Sequence, residues 1–283
     1  MSNRGRRLVS AISKRIFHAG KYFHQNLRGP ASRQPKTVVF IFGCQRSGTT
    51  LMQEIFDKDL DAKVYREYSE ISRSEKRQRN VRLKPLEDVK AVIDRDRARL
   101  IVAKPIVETQ NALKLLAYFP GSKGLFIYRH YAAVASSNLK LFGQINGINN
   151  LRPIVNDEGA NWRAEGVPRE IRAMVCARFR ETMNPYDAAA LFWYVRNRFF
   201  FDLGLDRHPS VKPFRYEDLV RDPAEMIGRA YDFVGMECPH SGAALVHGAS
   251  SGKGKEVKLS ADIDQLCREL LERLDAAHAQ AWS

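Results

Sequence analysis

Thr37-Val-Val-Phe-Ile-Phe-Gly-Cys-Gln-Arg-Ser-Gly-Thr-Thr50, running on into Leu51, Met52, Ile55 and Phe56, holds three signals in a row. Residues 37–43 are an unbroken β-branched and aromatic run, the pattern of a strand buried on both faces of a parallel sheet. Gly43 to Thr50 is a glycine-bounded loop, and the apolar spacing after it is helical. Strand, tight loop and helix in that order aim backbone N–H groups and a helix N-terminus at one point. Such a point holds phosphate-like anions.

The glycine spacing matches the nucleotide P-loop, G-x-x-x-x-G-K-[ST], at Gly43, Gly48 and Thr50. Thr49 stands where the lysine belongs. In an NTPase that lysine meets the β/γ-phosphates. Here the loop's cation is Arg46, so the expected ligand is an anion but not a magnesium triphosphate held in the usual manner.

Further along, Arg99–Ala103, Leu125–Arg129 and Val211–Tyr216 read as strands, with a short one at Ala62–Tyr65. Helical stretches lie near 49–58, 86–97, 109–117, 131–140 and 187–203. This alternation predicts an α/β fold, a P-loop NTPase-like parallel sheet flanked by helices. Residues 143–186 read as an insertion, rich first in Gly, Asn and Pro and then helical.

The strand at 125–129 ends in Arg129, where a P-loop NTPase carries its magnesium aspartate. Eight residues on, Ser137 sits just over two helical turns away, so guanidinium and hydroxyl can face one ligand. Two anion cradles without a magnesium carboxylate suit a doubly anionic ligand such as a bisphosphorylated adenosine, and metal-free chemistry.

These segments resemble the PAPS-dependent sulfotransferases. Arg46-Ser-Gly-Thr-Thr-Leu-Met52 is similar to the family's 5′-phosphosulfate loop, and Arg129 with Ser137 to its 3′-phosphate motif. Phe214-Arg-Tyr-Glu-Asp-Leu-Val-Arg-Asp-Pro223 with Ile227 to Gly235 resembles a third family segment. The likeness is nearer the carbohydrate and tyrosylprotein branch than the phenol and steroid branch. It implies the sulfotransferase fold over 36–283 and PAPS as co-substrate, with no metal. It also places Arg46, Ser47, Gly48, Thr49, Thr50, Arg129, Ser137 and Tyr216 at the donor nucleotide. Arg129-His-Tyr-Ala132 departs from the family's Arg-Asp-Pro-Arg, and Lys253 or Lys255 is the candidate substitute for the missing cation.

Sulfuryl transfer needs a base for the acceptor proton and cations for the moving oxygens. Glu67, 21 residues beyond Arg46 and just past the short strand, resembles the glutamate base of tyrosylprotein sulfotransferases; Glu70 is its rival. Lys104 matches the family lysine near the bridging oxygen. Pro105 and Ile106 follow it, where the phenol and steroid enzymes carry Thr-His, so no histidine base is offered there. Ser251 is a further candidate donor. The acceptor is expected to carry a hydroxyl, as a glycan, glycolipid or small metabolite. Trp162, Arg163, Arg172, Arg178 and Arg180 are candidates to wall its cleft. The basic run Arg73–Lys84 reads as a solvated face or a contact for an anionic acceptor. Leu191–Val195 and Phe199–Phe201 read as core.

Charge is unevenly spread. The first 53 of 283 residues hold ten Lys and Arg and no acid, while the rest holds 36 basic residues against 32 acidic ones. Residues 1–35 therefore form a separate basic segment, with Leu8, Ile12 and Ile16 at helical spacing. They are expected either to lie on an anionic membrane surface or to pack on the domain. Gly29, Pro30, Ser32 and Pro35 mark the boundary. No apolar run reaches membrane-span length, and the four scattered cysteines form no metal or disulfide pattern. The expected compartment is the cytoplasm, with the inner face of a membrane as the peripheral alternative. Two other function classes fit the charge: a P-loop kinase or NTPase, and a non-enzymatic anion or RNA binder. No nucleic-acid motif supports the last, so no nucleic-acid partner is expected.

Overall fold

A computed structural model describes residues 16–27, 36–75, 80–239, 246 and 257–283. Five parallel strands form one sheet: β1 (Thr37–Gly43), β2 (Ala62–Tyr65), β5 (Leu100–Ala103), β6 (Lys123–Tyr128) and β7 (Val211–Arg215), in the order β2-β5-β1-β6-β7. All four sequence-expected strands and the short one at 62–65 are present.

Alternation along β1 explains its continuous apolar run. Val39 and Ile41 enter one core layer with Met52, Ile55 and Phe56 of α2 (Thr49–Asp57) and Ile227 and Tyr231 of α10 (Pro223–Val234). Phe40 and Phe42 enter the other, with Ile93 of α3 (Leu86–Arg95), Leu115 of α4 (Ala112–Tyr118) and Trp193 of α8 (Pro185–Asp202). A strand buried on both faces has no polar side to show. The aromatic helix α8 is core, as expected.

The connection leaving β1 passes through α2 to β2 at one edge, while β6 feeds α5 (Tyr131–Phe142) and then β7 at the other. The crevice beyond the C-terminal ends of β1 and β6 is therefore the topological switch point, where open α/β sheets bind ligands. Gly43 and Arg129 both lie there.

Several elements lie outside the sequence reading. Residues 72–75 (β3) and 80–83 (β4) pair antiparallel, so part of the basic run is a hairpin. The insertion is helical sooner than expected, in α6 (Asn146–Val155) ahead of α7 (Arg169–Arg178). Pro153 sits inside α6 without ending it. The chain closes with α9 (Tyr216–Arg221), α10 and the 22-residue α11 (Ala261–Trp282). Residues 16–27 are helical (α1).

Candidate active site

The loop after β1 is shaped by backbone conformations that few side chains tolerate. Gly43 has φ +130°, and a Cβ there would stand 2.2 Å from the Ile127 carbonyl oxygen. Gly48 has φ +97°, and a Cβ there would meet the Tyr216 ring at 2.2 Å. Arg46 is left-handed at φ +70° without being glycine. Strain of this kind persists where surrounding packing enforces it, and it concentrates at functional sites. Gly48 caps α2 without any side-chain bond and the first turn of α2 holds no acid. The free N–H groups of that turn thus face the loop with a positive helix end behind them. Ser47 is fully buried, and its hydroxyl has no partner. A buried orphan hydroxyl beside free amides is the donor set an oxyanion requires, so the residues present fit the phosphosulfate end of the nucleotide.

The loop's entry is pinned by Thr109, in the 3-10 turn Ile106–Asn111. Its hydroxyl accepts from Gly43 N–H at 3.3 Å and donates to the Ile106 carbonyl at 3.0 Å. Sequence reading placed a helix near there but not this anchor, which has no motif of its own.

Around Arg129, the segment after β7 clamps the segment after β6. The Tyr216 ring lies under the guanidinium, 4.3 Å from centroid to carbon, and also under Gly48. Glu217 accepts from the His130 backbone N–H at 3.1 Å, and Trp193 of α8 donates to the Arg129 carbonyl at 3.0 Å. The Arg129 Nε is buried without a hydrogen-bond partner. His130 caps α5, its Nδ1 accepting from Ala132 N–H at 3.3 Å. Burial lowers the His130 pKa, opposed by Glu217. A guanidinium stacked on an aromatic ring with a buried, unpartnered Nε suits an anion.

Ser137 makes a contact that the sequence reading does not include. Its hydroxyl accepts from Arg46 Nε at 3.0 Å, so the serine of the second cradle is joined to the cation of the first. The two cradles adjoin because α5 runs back past the loop.

On the other side of the loop, Lys104 follows β5 and Glu67 follows β2. Lys104 Nζ stands 3.0 Å from Glu67 Oε1 and donates to Thr50 Oγ1 at 3.0 Å. The lysine side chain is 7% exposed and the glutamate 49%. The lysine therefore holds its position while the carboxylate faces solvent. Glu70 lines a separate hollow with Tyr22 and Lys63.

Glu67 and Lys104 open into a cleft of about 680 Å³. Gln45, Tyr68, Phe142, Asn149 and Asn150 are among its walls, with Trp162 and Arg163. Of the five insertion residues expected at the cleft, these last two reach it. Arg172, Arg178 and Arg180 do not. They donate to backbone carbonyls of Ile154, Met174 and Phe179, and the first two pair with Asp157 and Asp262. Helix-end carbonyls within their reach draw them away. Tyr68, exposed and left-handed at φ +62°, and Gln45 were not singled out from sequence.

Near Glu67 and Lys104 lies a largely buried charge network that sequence reasoning missed. Arg82 of β4 meets Glu108 in a two-pronged pair at 2.5 and 2.7 Å, and Glu165 at 2.9 Å. Fully buried Arg196 donates to Gln110 at 3.0 Å and to the Ile106 carbonyl at 3.1 Å; burial lowers its pKa to about 10. Beside it, burial raises the Cys44 thiol to about 12, which keeps it protonated and inert. The basic run Arg73–Lys84 is thus not wholly a solvated face: Arg82 turns inward. Ser251, Lys253 and Lys255 lie outside the described residues. No cluster of His, Cys, Asp and Glu fit for a metal occurs among the described residues.

Sequence comparison with functionally curated proteins gives no match. Among solved structures, the chain is similar to the sulfotransferase domain of the Synechococcus PCC 7002 olefin synthase. That match has TM-score 0.50 and 18% identity, covering 84% of this chain and 95% of that one. It is also similar to the sulfotransferase domain from the curacin biosynthetic pathway, with TM-score 0.53 and 14% identity, covering 84% and 98%. These show the shared fold. The model of the sulfotransferase domain matches residues 36–251, most of the chain and all three motif segments, and the protein belongs to the sulfotransferase family.

Proposed function

We propose that this sulfotransferase moves a sulfuryl group from PAPS to a hydroxyl of an acceptor in the 680 Å³ cleft, with Glu67 as general base. The observation that carries this reading is the chain Glu67–Lys104–Thr50, two contacts of 3.0 Å. It joins the carboxylate facing the cleft to the loop that suits the phosphosulfate.

In the overall transfer, the acceptor oxygen forms a bond to sulfur and the bond from sulfur to the 5′-phosphate oxygen breaks. The acceptor proton goes to the Glu67 carboxylate, and adenosine 3′,5′-bisphosphate departs. Lys104, held by Thr50, supplies positive charge between base and loop. Arg46 and the first-turn amides of α2 receive the 5′ end, and Arg129 on its Tyr216 platform receives the 3′-phosphate. Preorganised charge of this kind supplies most of the acceleration in the analogous phosphoryl transfers.

The cleft walls favour a polyhydroxyl acceptor such as a glycan. Gln45 and Asn149 present planar amides, and Tyr68 and Phe142 present exposed aromatic faces. Amides bond hydroxyl pairs and rings cover the apolar faces of sugars. Calorimetric titration with adenosine 3′,5′-bisphosphate beside ADP, both without metal, tests the donor. Tight binding of the first alone is expected, and equal binding of both would refute PAPS use. Acceptor screening with glycans against simple alcohols then tests the cleft.

A further inference from the structure

Helix α1 is turned with its polar side inward. Lys21 Nζ donates to the Asp57 carbonyl at 2.8 Å, and His24 Nε2 lies 2.8 Å from Asp61 Oδ1. Gln25 Nε2 donates to the carbonyls of Leu60 at 2.8 Å and Ala62 at 3.0 Å. Lys21 is 6% exposed, whereas Ile16, Phe23 and Leu27 are 68%, 60% and 81% exposed. At about 100° per residue these three project within about 40° of one another, and Lys21 and Gln25 point the other way. A helix that merely packed on its own domain would bury the apolar stripe.

The flanking charge identifies what covers that stripe. The first 15 residues carry Arg4, Arg6, Arg7, Lys14 and Arg15, and no acid occurs before Glu54. The apolar spacing of Leu8 and Ile12 leads into Ile16. A second copy of this chain would bring the same basic segment against itself, whereas an anionic bilayer complements it.

We infer that α1 is an interfacial anchor. Ile16, Phe23 and Leu27 enter the headgroup–acyl boundary of an anionic membrane, and Lys21, His24 and Gln25 fasten the catalytic domain to the helix. No described helix is long and apolar enough to cross a membrane, so the anchor lies in the surface plane. Its grip, Asp57–Ala62, is at the N-terminal end of β2, while the donor loop, Glu67, Lys104 and Arg129 follow strand C-termini. Membrane docking and the cleft therefore use opposite ends of the sheet.

Vesicle flotation of the full chain tests this without any acceptor. Flotation with mixed phosphatidylcholine–phosphatidylglycerol vesicles, and not with phosphatidylcholine alone, is expected. The double variant Phe23→Ser, Leu27→Ser should lower the bound-to-free ratio by ~10-fold or more. Its affinity for adenosine 3′,5′-bisphosphate should match the parent's, since neither residue touches the donor loop. Failure of the parent chain to float, or equal flotation of the variant, would overturn the inference. So would a lipid-free dimer that the same substitutions convert to monomer, because the stripe would then belong to a second copy.

Discussion

The donor side and the acceptor side of this site are built in different ways. The donor side is mostly backbone: a loop of eight residues, a helix N-terminus and two glycines at positive φ. The acceptor side is assembled from distant segments: those after β2 and β5, the hairpin, α6 and the residues after it, with Phe142 of α5 and Gln45 of the donor loop completing the wall. A backbone-built site depends on a few local conformations. A site assembled from distant segments depends on how those segments are propped. The two should therefore fail differently when mutated.

The largest effect is expected from Glu67→Ala, which removes the base and leaves the donor loop untouched. Turnover should fall ~10²–10⁴-fold with bisphosphate affinity retained; near-parental turnover would place the proton elsewhere. Next comes Gly48→Ala. The methyl would have to displace the Tyr216 ring, and with it the platform under Arg129. Bisphosphate affinity measured by calorimetry should drop ~10²-fold from backbone strain and lost contacts. Unchanged affinity would mean that the donor cradle does not rely on that packing.

Glu108→Gln perturbs the surroundings of Glu67 and Lys104. Losing one charge of a buried two-pronged pair weakens the hold on Arg82, which also meets Glu165. Urea denaturation should show a loss of ~3 kcal/mol, and the acceptor KM should rise while bisphosphate binding holds. By contrast, Lys104 and the half-exposed Glu67 form a pair whose value is positional, since exposed pairs add little stability.

The smallest effect expected is on pH dependence. Burial lowers the pKa of both His130 and His278 from the ordinary 6.5. The unfolded chain takes up these protons at higher pH than the folded one. Their contribution to stability is complete above about pH 6.5 and is lost as pH falls through the lower folded values. Thermal melts across this range should decline toward acid. His130→Asn, which keeps a side-chain cap for α5, should flatten part of the slope, and an identical slope would assign the titration to other groups.

Much of the donor side is legible in the residues themselves. The run from Thr37 to Gly43 has no polar side because both faces are buried, and Gly43 and Gly48 stand where no Cβ fits. Arg46, Lys104, Arg129 and Glu67 each follow a strand that periodicity locates. Ser137 is found the same way, but its bond to Arg46 is not, because that depends on how α5 crosses the loop. The inward turn of Arg82 is hidden in a run of like charges, and nothing in the chain's pattern marks the Ser47 hydroxyl as an orphan. Arg172 and Arg178 share the composition of a cleft wall, yet helix-end carbonyls and nearby acids claim them.

Sequence alone therefore determined the parallel α/β sheet, the glycine-bounded loop at its switch point and the excess of positive charge near the N-terminus. Each is written in neighbouring residues, as periodicity, glycine spacing or composition. Tertiary structure alone decided which carboxylate shares a lysine with the loop, which walls enclose the cleft and which face of α1 is left to solvent. Those outcomes are pairings between residues tens of positions apart, and no local pattern in a chain records which of many possible partners a side chain will meet.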